Sequence, residues 1–345
     1  MIVNKSETNR YIYIEYLRVF ATLAVIVVHV SGNIVRYFNG VEDHWWIANC
    51  FDSSMRFCVP IFVMLSGALL IPKVESIFVF FYKRLNRILL PFAFWSSIYI
   101  GYELFHKLSE GNITLIATVK LIFIRISLGA SYHLWYIYMI IGLYLFMPII
   151  GKWARNSNSR EILYFLLIWF TILFIEPFYP KFINIMELKS FTGFIGYLVL
   201  GYYLSSFVGK SKKVNIISLL LILLGLAITI FGTYLISVHK NIYIFSNTFY
   251  QYLSPNIVIM SIGLFLIIKN NFEHQSFIIT SIAKYSFGIY LAHVFVLIAL
   301  TKVGITGNLW NPILGIPFTT ILCLFLSCGI VYLISKMPFG IYISG

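Results

Sequence analysis

Three side chains in one apolar run, residues 14–34, have types and spacing that chemistry can use: Glu15, Arg18 and His29. The step from Arg18 to His29 brings an α-helix to within about 20° of a whole number of turns and advances it about 16 Å. Both residues therefore share one helix face. Glu15 stands three residues before Arg18, placed to pair with it and offset the desolvation of a guanidinium. A stripe running from an anion-compatible arginine to an imidazole that accepts a proton near neutral pH suggests a path through the protein. The competing reading is that Arg18 snorkels to a surface and His29 is a hydrogen-bonded core histidine. The shared face favours the path.

A second cationic group lies in PheTyrLysArgLeuAsnArgIleLeuLeuPro, residues 81–91, just before an apolar run. Arg84 and Arg87 are helical neighbours, and Lys83 adds a third positive charge. Paired guanidiniums grip phosphate oxygens bidentately, although ordinary basic anchoring beside a membrane span explains the same composition. Arg56, at the head of ArgPheCysValProIlePheValMetLeuSerGly (56–67), is expected either at the depth of His29 or as a surface anchor. His133 lies with Trp135 and Tyr136 in TyrHisLeuTrpTyrIleTyr, where an interfacial aromatic belt is also expected. His293 closes SerPheGlyIleTyrLeuAlaHis (286–293) and shares a helix face with Ser286. Cys50, Cys58, Cys323 and Cys328 have no CxxC spacing and read as buried free thiols, so neither a metal site nor a disulfide framework is expected.

The elements that must hold these groups follow from composition. Of 345 residues, 60% are hydrophobic and 11% charged, and the mean hydropathy is +0.89. Soluble domains average roughly 45–50% apolar and about 25% charged residues, so this excess has to face lipid. The net charge of +13 would suggest nucleic acid in a soluble chain. Here no soluble basic domain exists to carry that function, and the charge reports loop topology and anionic headgroups instead.

Apolar runs of about 20 residues recur, and ten spans are read: 14–34, 51–71, 88–105, 132–150, 162–178, 191–208, 214–236, 252–268, 285–303 and 313–335. Pro72 follows the second, Pro148 and Gly151 close the fourth, and Pro312 opens the tenth. The 106–131 connection has the spacing of an amphipathic interfacial segment. The first run lacks a small-residue cleavage site and reads as a retained helix. With the N-terminus inside, fifteen Lys and Arg fall in cytoplasmic segments against nine opposite, Arg36, Lys189, Lys240 and Lys302 among the nine. This bias places both termini in the cytoplasm. The expected fold is all-α and polytopic, with about ten transmembrane helices in a single domain over 1–345.

Together these segments resemble the membrane-bound acyltransferase family 3. The resemblance rests on Glu15 and Arg18-x10-His29 in the first helix, ValProIlePheValMetLeuSerGly (59–67), and Arg84-x-x-Arg87 followed by LeuProPhe. It continues through HisLeuTrpTyrIle (133–137), GlyTyrTyrLeu (201–204) and SerPheGlyIleTyrLeuAlaHis (286–293), in order from residue 9 to about 294. Within the family the chain is similar to the short branch holding the enterobacterial common antigen O-acetyltransferase and the O-succinyltransferase of intercellular-adhesion polysaccharide. No extracytoplasmic SGNH-type domain is expected.

The resemblance implies a multi-pass enzyme of the bacterial inner membrane. It would move an acyl group, acetyl above all, from cytoplasmic acyl-CoA to a hydroxyl of a cell-surface glycan or its lipid-linked precursor. Arg84 and Arg87, with Arg18, would hold the phosphates of acetyl-CoA, and Glu15 would orient Arg18. His29 would take the hydroxyl proton. Arg56, His133, Trp135, Tyr136 and His293 are the candidates for acceptor or transition-state contacts. Acyl-CoA, glycan and membrane lipids are the implied partners, with no nucleic acid and no metal; an oligomer is open. The rivals are a polysaccharide exporter, which should carry paired interrupted helices in corresponding halves, and a non-catalytic scaffold. No such pair is visible in the sequence.

Overall fold

A backbone in hydrocarbon must satisfy its own hydrogen bonds, so apolar runs of this length fold as helices. The structure, a computed structural model, describes residues 5–37, 43–111, 114–188, 193–239 and 245–345. Its helices are α1 (Lys5–Val35), α2 (Asp43–Met55), α3 (Cys58–Leu70), α4 (Ile77–Ser109), α5 (Leu115–Leu128), α6 (Trp135–Asn156) and α7 (Ser159–Ile175). They continue with α8 (Pro180–Ile185), α9 (Ile195–Ser206), α10 (Lys212–His239), α11 (Pro255–Asn271), α12 (Phe277–Lys302), α13 (Pro312–Lys336) and α14 (Gly340–Ser344). There is no strand among the described residues, and the chain is an all-α polytopic membrane protein. Lys189 and Lys240 of the charge bias lie outside the described residues, as do the side chains of Lys5 and Arg10.

Among the described residues eight segments are long and apolar enough to cross a membrane, counting α2–α3 and α5–α6 as one each. The fifth and sixth expected spans are the shorter α7 and α9, of 17 and 12 residues. Twelve residues rise only about 18 Å, less than a hydrocarbon core of about 30 Å. Accordingly α9 is enclosed by protein, with Gly196 through Tyr202 all buried.

Three sequence expectations are corrected. The second span is part of a longer segment, 43–70, broken at Arg56–Phe57. Pro60 has no N–H to give the Arg56 carbonyl four residues back, and the helix restarts there as α3. Pro148 and Gly151 do not end a helix, because α6 passes both and runs to Asn156. Likewise α4 starts at its Ser76 cap, well before residue 88, and continues through Pro91. The basic cluster 81–91 therefore lies within a helix and does not precede one. Packed neighbours make such prolines tolerable in membrane helices. The 106–131 connection holds α5, whose residues are all at the surface, and Arg125 clamps it to Glu103 of α4 through bonds of 2.6 and 2.7 Å. All four cysteines are free; Cys58 and Cys323 are buried, whereas Cys50, expected inside, is exposed.

The helix that carries the chemistry is central. In its most apolar stretch 67% of α1 is buried, against 17% for α10, and α1 packs on α2, α3, α11, α12 and α13. At one end of the bundle the basic turns bond to neighbouring chain. Arg155 donates to the Ile71 and Lys73 carbonyls, Lys269 closes α9 by donating to Leu204, Ser205 and Val208, and Lys210 pairs with Glu273. Tyr16 of α1 reaches the His274 carbonyl at the same end.

Two glycines set the α3–α9 crossing. A Cβ on Gly67 would lie 1.8 Å from the Leu198 carbonyl oxygen, and one on Gly201 would lie 2.0 Å from that of Met64. Only hydrogen fits at either position, so backbone touches backbone. Gly201→Ala should therefore cost about 1–3 kcal/mol or more and lower the thermal midpoint in detergent, read by the loss of monodisperse protein. Gly209→Ala, in open space, should behave like the parent. Equal midpoints for the two variants would refute the close crossing.

Candidate functional site

Three histidines from distant parts of the chain meet inside the bundle. His29 comes from α1, His133 from the 3-10 turn Tyr132–Leu134 that leads into α6, and His293 from α12. Ring centroids are 5.1 Å apart for His133 and His293, 5.2 Å for His29 and His293, and 6.5 Å for His29 and His133. His293 Nδ1 lies 2.6 Å from the Tyr290 carbonyl. A carbonyl only accepts, so Nδ1 carries the proton and Nε2 keeps the lone pair. Tyr290 in turn donates its hydroxyl to the His133 carbonyl, and His133 Nδ1 faces Ser131 Oγ at 3.1 Å. Tyr99 packs edge-on to His133 at 5.3 Å while its hydroxyl donates to Leu291 O at 2.8 Å.

The Nε2 atoms of His133 and His293 have no hydrogen-bond partner among the described residues. Buried nitrogens without a protein partner are unfavourable in a merely packed core. His29 differs from both, being half-buried and lining a cavity of about 860 Å³ together with Tyr132, Asn33 and Asn308.

A second cavity, of about 570 Å³, opens where Arg18, Lys73, Lys83, Arg84 and Arg87 converge. Here the expected roles separate. Arg84 is held by Glu75 at 2.5 Å and lies over the Phe80 ring, and Lys83 bonds the same carboxylate at 2.9 Å. These two cations hold the Glu75 carboxyl below its ordinary pKa, the Lys83 bond first. Arg18 and Arg87 have no ion pair or side-chain hydrogen bond among the described residues and face the cavity as uncommitted guanidiniums. Glu15 makes no ion pair with Arg18; it accepts instead from Thr280 of α12 at 2.7 Å.

Tyr136 connects the basic cavity to the histidine cluster. It lines the basic one, and its ring lies 5.3 Å from Tyr290, which lies 5.6 Å from His133 and 5.7 Å from His293. An aromatic partition thus separates guanidiniums from imidazoles.

Two expected contacts fall elsewhere. Arg56 pairs with the buried Asp52 and sits 4.2 Å over the Tyr250 ring, while Ser31 donates to Asp52 at 3.2 Å. Its charge offsets that of Asp52, which Ser31 ties to α1. Trp135 stacks on Tyr252 at 5.9 Å in an aromatic belt, outside the histidine cluster. Sequence reasoning missed Glu75, Asp52, Tyr99 and Tyr290. Of these, Tyr290 had a signal, three residues before His293 and so on its face. No group of three or more His, Cys, Asp or Glu is arranged to hold a metal ion among the described residues.

A cavity lined by cations and a cavity lined by an imidazole, connected through the rings of Tyr136, Tyr290 and His293, are an arrangement suited to group transfer. The sequence profile of the acyltransferase domain, acyltransferase family 3, matches residues 11–332, nearly the whole chain. The chain belongs to that family. No curated protein and no solved structure matches it. In this membrane acyltransferase only one member of the histidine cluster is open to reagents from a cavity, since His133 and His293 are 2% and 0% exposed. Diethyl pyrocarbonate should accordingly modify His29 well before either, as read by peptide mass spectrometry of the folded protein. Equal modification of His293 would show that the cluster is not closed as described.

Proposed function

We propose that this acyltransferase moves an acyl group, acetyl above all, from acyl-CoA to a hydroxyl of a glycan or its lipid-linked precursor. The observation that carries the reading is the pair of opposed cavities on either side of the Tyr136–Tyr290 partition. Arg18 and Arg87 hold the phosphates of the donor, with Arg84 already neutralised by Glu75 and serving the wall. The thioester end passes Tyr136 towards the histidines.

His29 takes the proton of the acceptor hydroxyl as that oxygen attacks the thioester carbonyl. The C–O bond forms, the C–S bond breaks, and the coenzyme A thiolate receives the proton back from the imidazolium. The enzyme ends as it began. His293 and His133 offer lone pairs beside the reacting centre, and Tyr99 and Tyr290 orient them. The basic bias supports a cytoplasmic Arg18–Arg87 end, the side where acyl-CoA is made, and the reading takes the membrane to be the inner membrane of a bacterium.

The test is transfer of labelled acetyl from acetyl-CoA by purified protein in membranes that contain candidate glycans, with acetyl-CoA binding measured in parallel. His29→Gln should bind acetyl-CoA yet lose about 10²-fold or more in transfer. Arg87→Ala should raise the donor KM more than Arg84→Ala, and the gap should narrow at high salt. Retained transfer by His29→Gln removes the general-base role. Glycan translocation without acyl transfer by the parent protein would make it the exporter.

A further inference from the structure

The cavity on the His29 side has a charge that the acyltransferase reading does not require. Arg36, His44 and Lys302 line it together with His29, and among the described residues no carboxylate does. Among the described residues no carboxylate pairs with these cations. Lys302 meets His106 Nε2 at 3.2 Å and the Tyr102 ring at 5.0 Å, and Arg36 is exposed without an ion pair. Of the described acids, Asp52 pairs with Arg56 and Glu103 with Arg125 and Lys107, while Asp43 starts α2 without lining the cavity.

Membrane anchoring explains cations at the Arg18 end of the bundle, but this cavity lies at the opposite end, where loops are depleted of Lys and Arg. The remaining lining supplies amide and hydroxyl groups, Asn33, Asn308 and Thr306, and the rings of Trp45 and Tyr132. Those groups suit a hydroxylated ring. A volume of about 860 Å³ is within the range of small-molecule sites.

We propose that this cavity takes an acceptor sugar bearing a negative charge, its carboxylate or phosphodiester set against Arg36 and Lys302 while a hydroxyl reaches His29. The proposal rests on the acyltransferase reading for the role of His29, but the charge preference is measurable without transfer. Binding of three probes to the reconstituted protein in phosphatidylcholine nanodiscs tests it: decyl glucoside, decyl glucuronide and the decyl phosphodiester of glucose.

At least one anionic probe should bind about fivefold or more tighter than the neutral one, as expected for a charge-assisted contact at a partly exposed site. The tighter of the two identifies the source of the charge. Arg36→Gln and Lys302→Gln should each erase the preference, and Arg160→Gln, on the surface of α7, should leave it. Equal binding of all three probes, or no binding of the anionic ones, overturns the proposal. So does displacement of the probe by phosphatidylglycerol at matched concentration, which would make these cations headgroup contacts. Charge-selective binding without acetyl transfer would sink the acyltransferase reading alone, and transfer without charge preference would sink this one alone.

Discussion

The cost of keeping a polar atom out of water governs this bundle. Most buried polar groups in it have been given a partner: Asp52 has Arg56 and Ser31, Glu15 has Thr280, and Tyr99 bonds the Leu291 carbonyl. Against that background the exceptions stand out. Among the described residues the Nε2 atoms of His133 and His293 lack such partners, as do Trp95 Nε1 and the hydroxyls of Ser96, Ser218, Thr233 and Thr320. The two histidine nitrogens alone belong to one cluster, with His29 beside them. A scaffold selected only to pack would have removed them, since an unpaired buried donor or acceptor costs about 1–3 kcal/mol.

The central place of α1 follows from the same constraint. A helix bearing an arginine and a histidine on one stripe cannot show that stripe to lipid, so it is surrounded by five others. Small residues make the enclosure tight. Gly67 and Gly201 bring α3 against α9 until the backbones touch, and the short α9 survives inside the bundle because Lys269 supplies donors to its last carbonyls.

Much of this was legible in the sequence, for reasons that can be named. Hydropathy reported the spans because lipid imposes length and apolarity together, and the Arg18–His29 spacing reported a shared face because helical pitch is fixed. His133 and His293 were visible as ionisable groups in apolar runs. That they meet His29 was not, since the meeting depends on how α6 and α12 pack on α1. The partners were lost for the same reason: Glu75 sits in a loop before α4, and its claim on Arg84 is a tertiary fact. Helix ends misled where proline was read as a stop. Pro148, read as a stop, is carried inside a long helix, as Pro91 is, whereas Pro60, unremarked, breaks one. Neighbouring packing decides between those outcomes, and a linear pattern does not contain it.

The partition formed by Tyr136 and Tyr290 has an electrical consequence. Where cavities approach from both ends, most of a membrane potential falls across the layer between them, and moving one elementary charge through it changes energy by about 2.3 kcal/mol per 100 mV. An acetyl group is neutral. On the proposed route the uncharged thioester end enters the layer and withdraws as an uncharged thiol carrying the acceptor's proton, while the phosphates of the donor stay against Arg18 and Arg87. Transfer through this wall would therefore be electroneutral, independent of the energised state of the membrane, and the wall would remain closed to ions throughout.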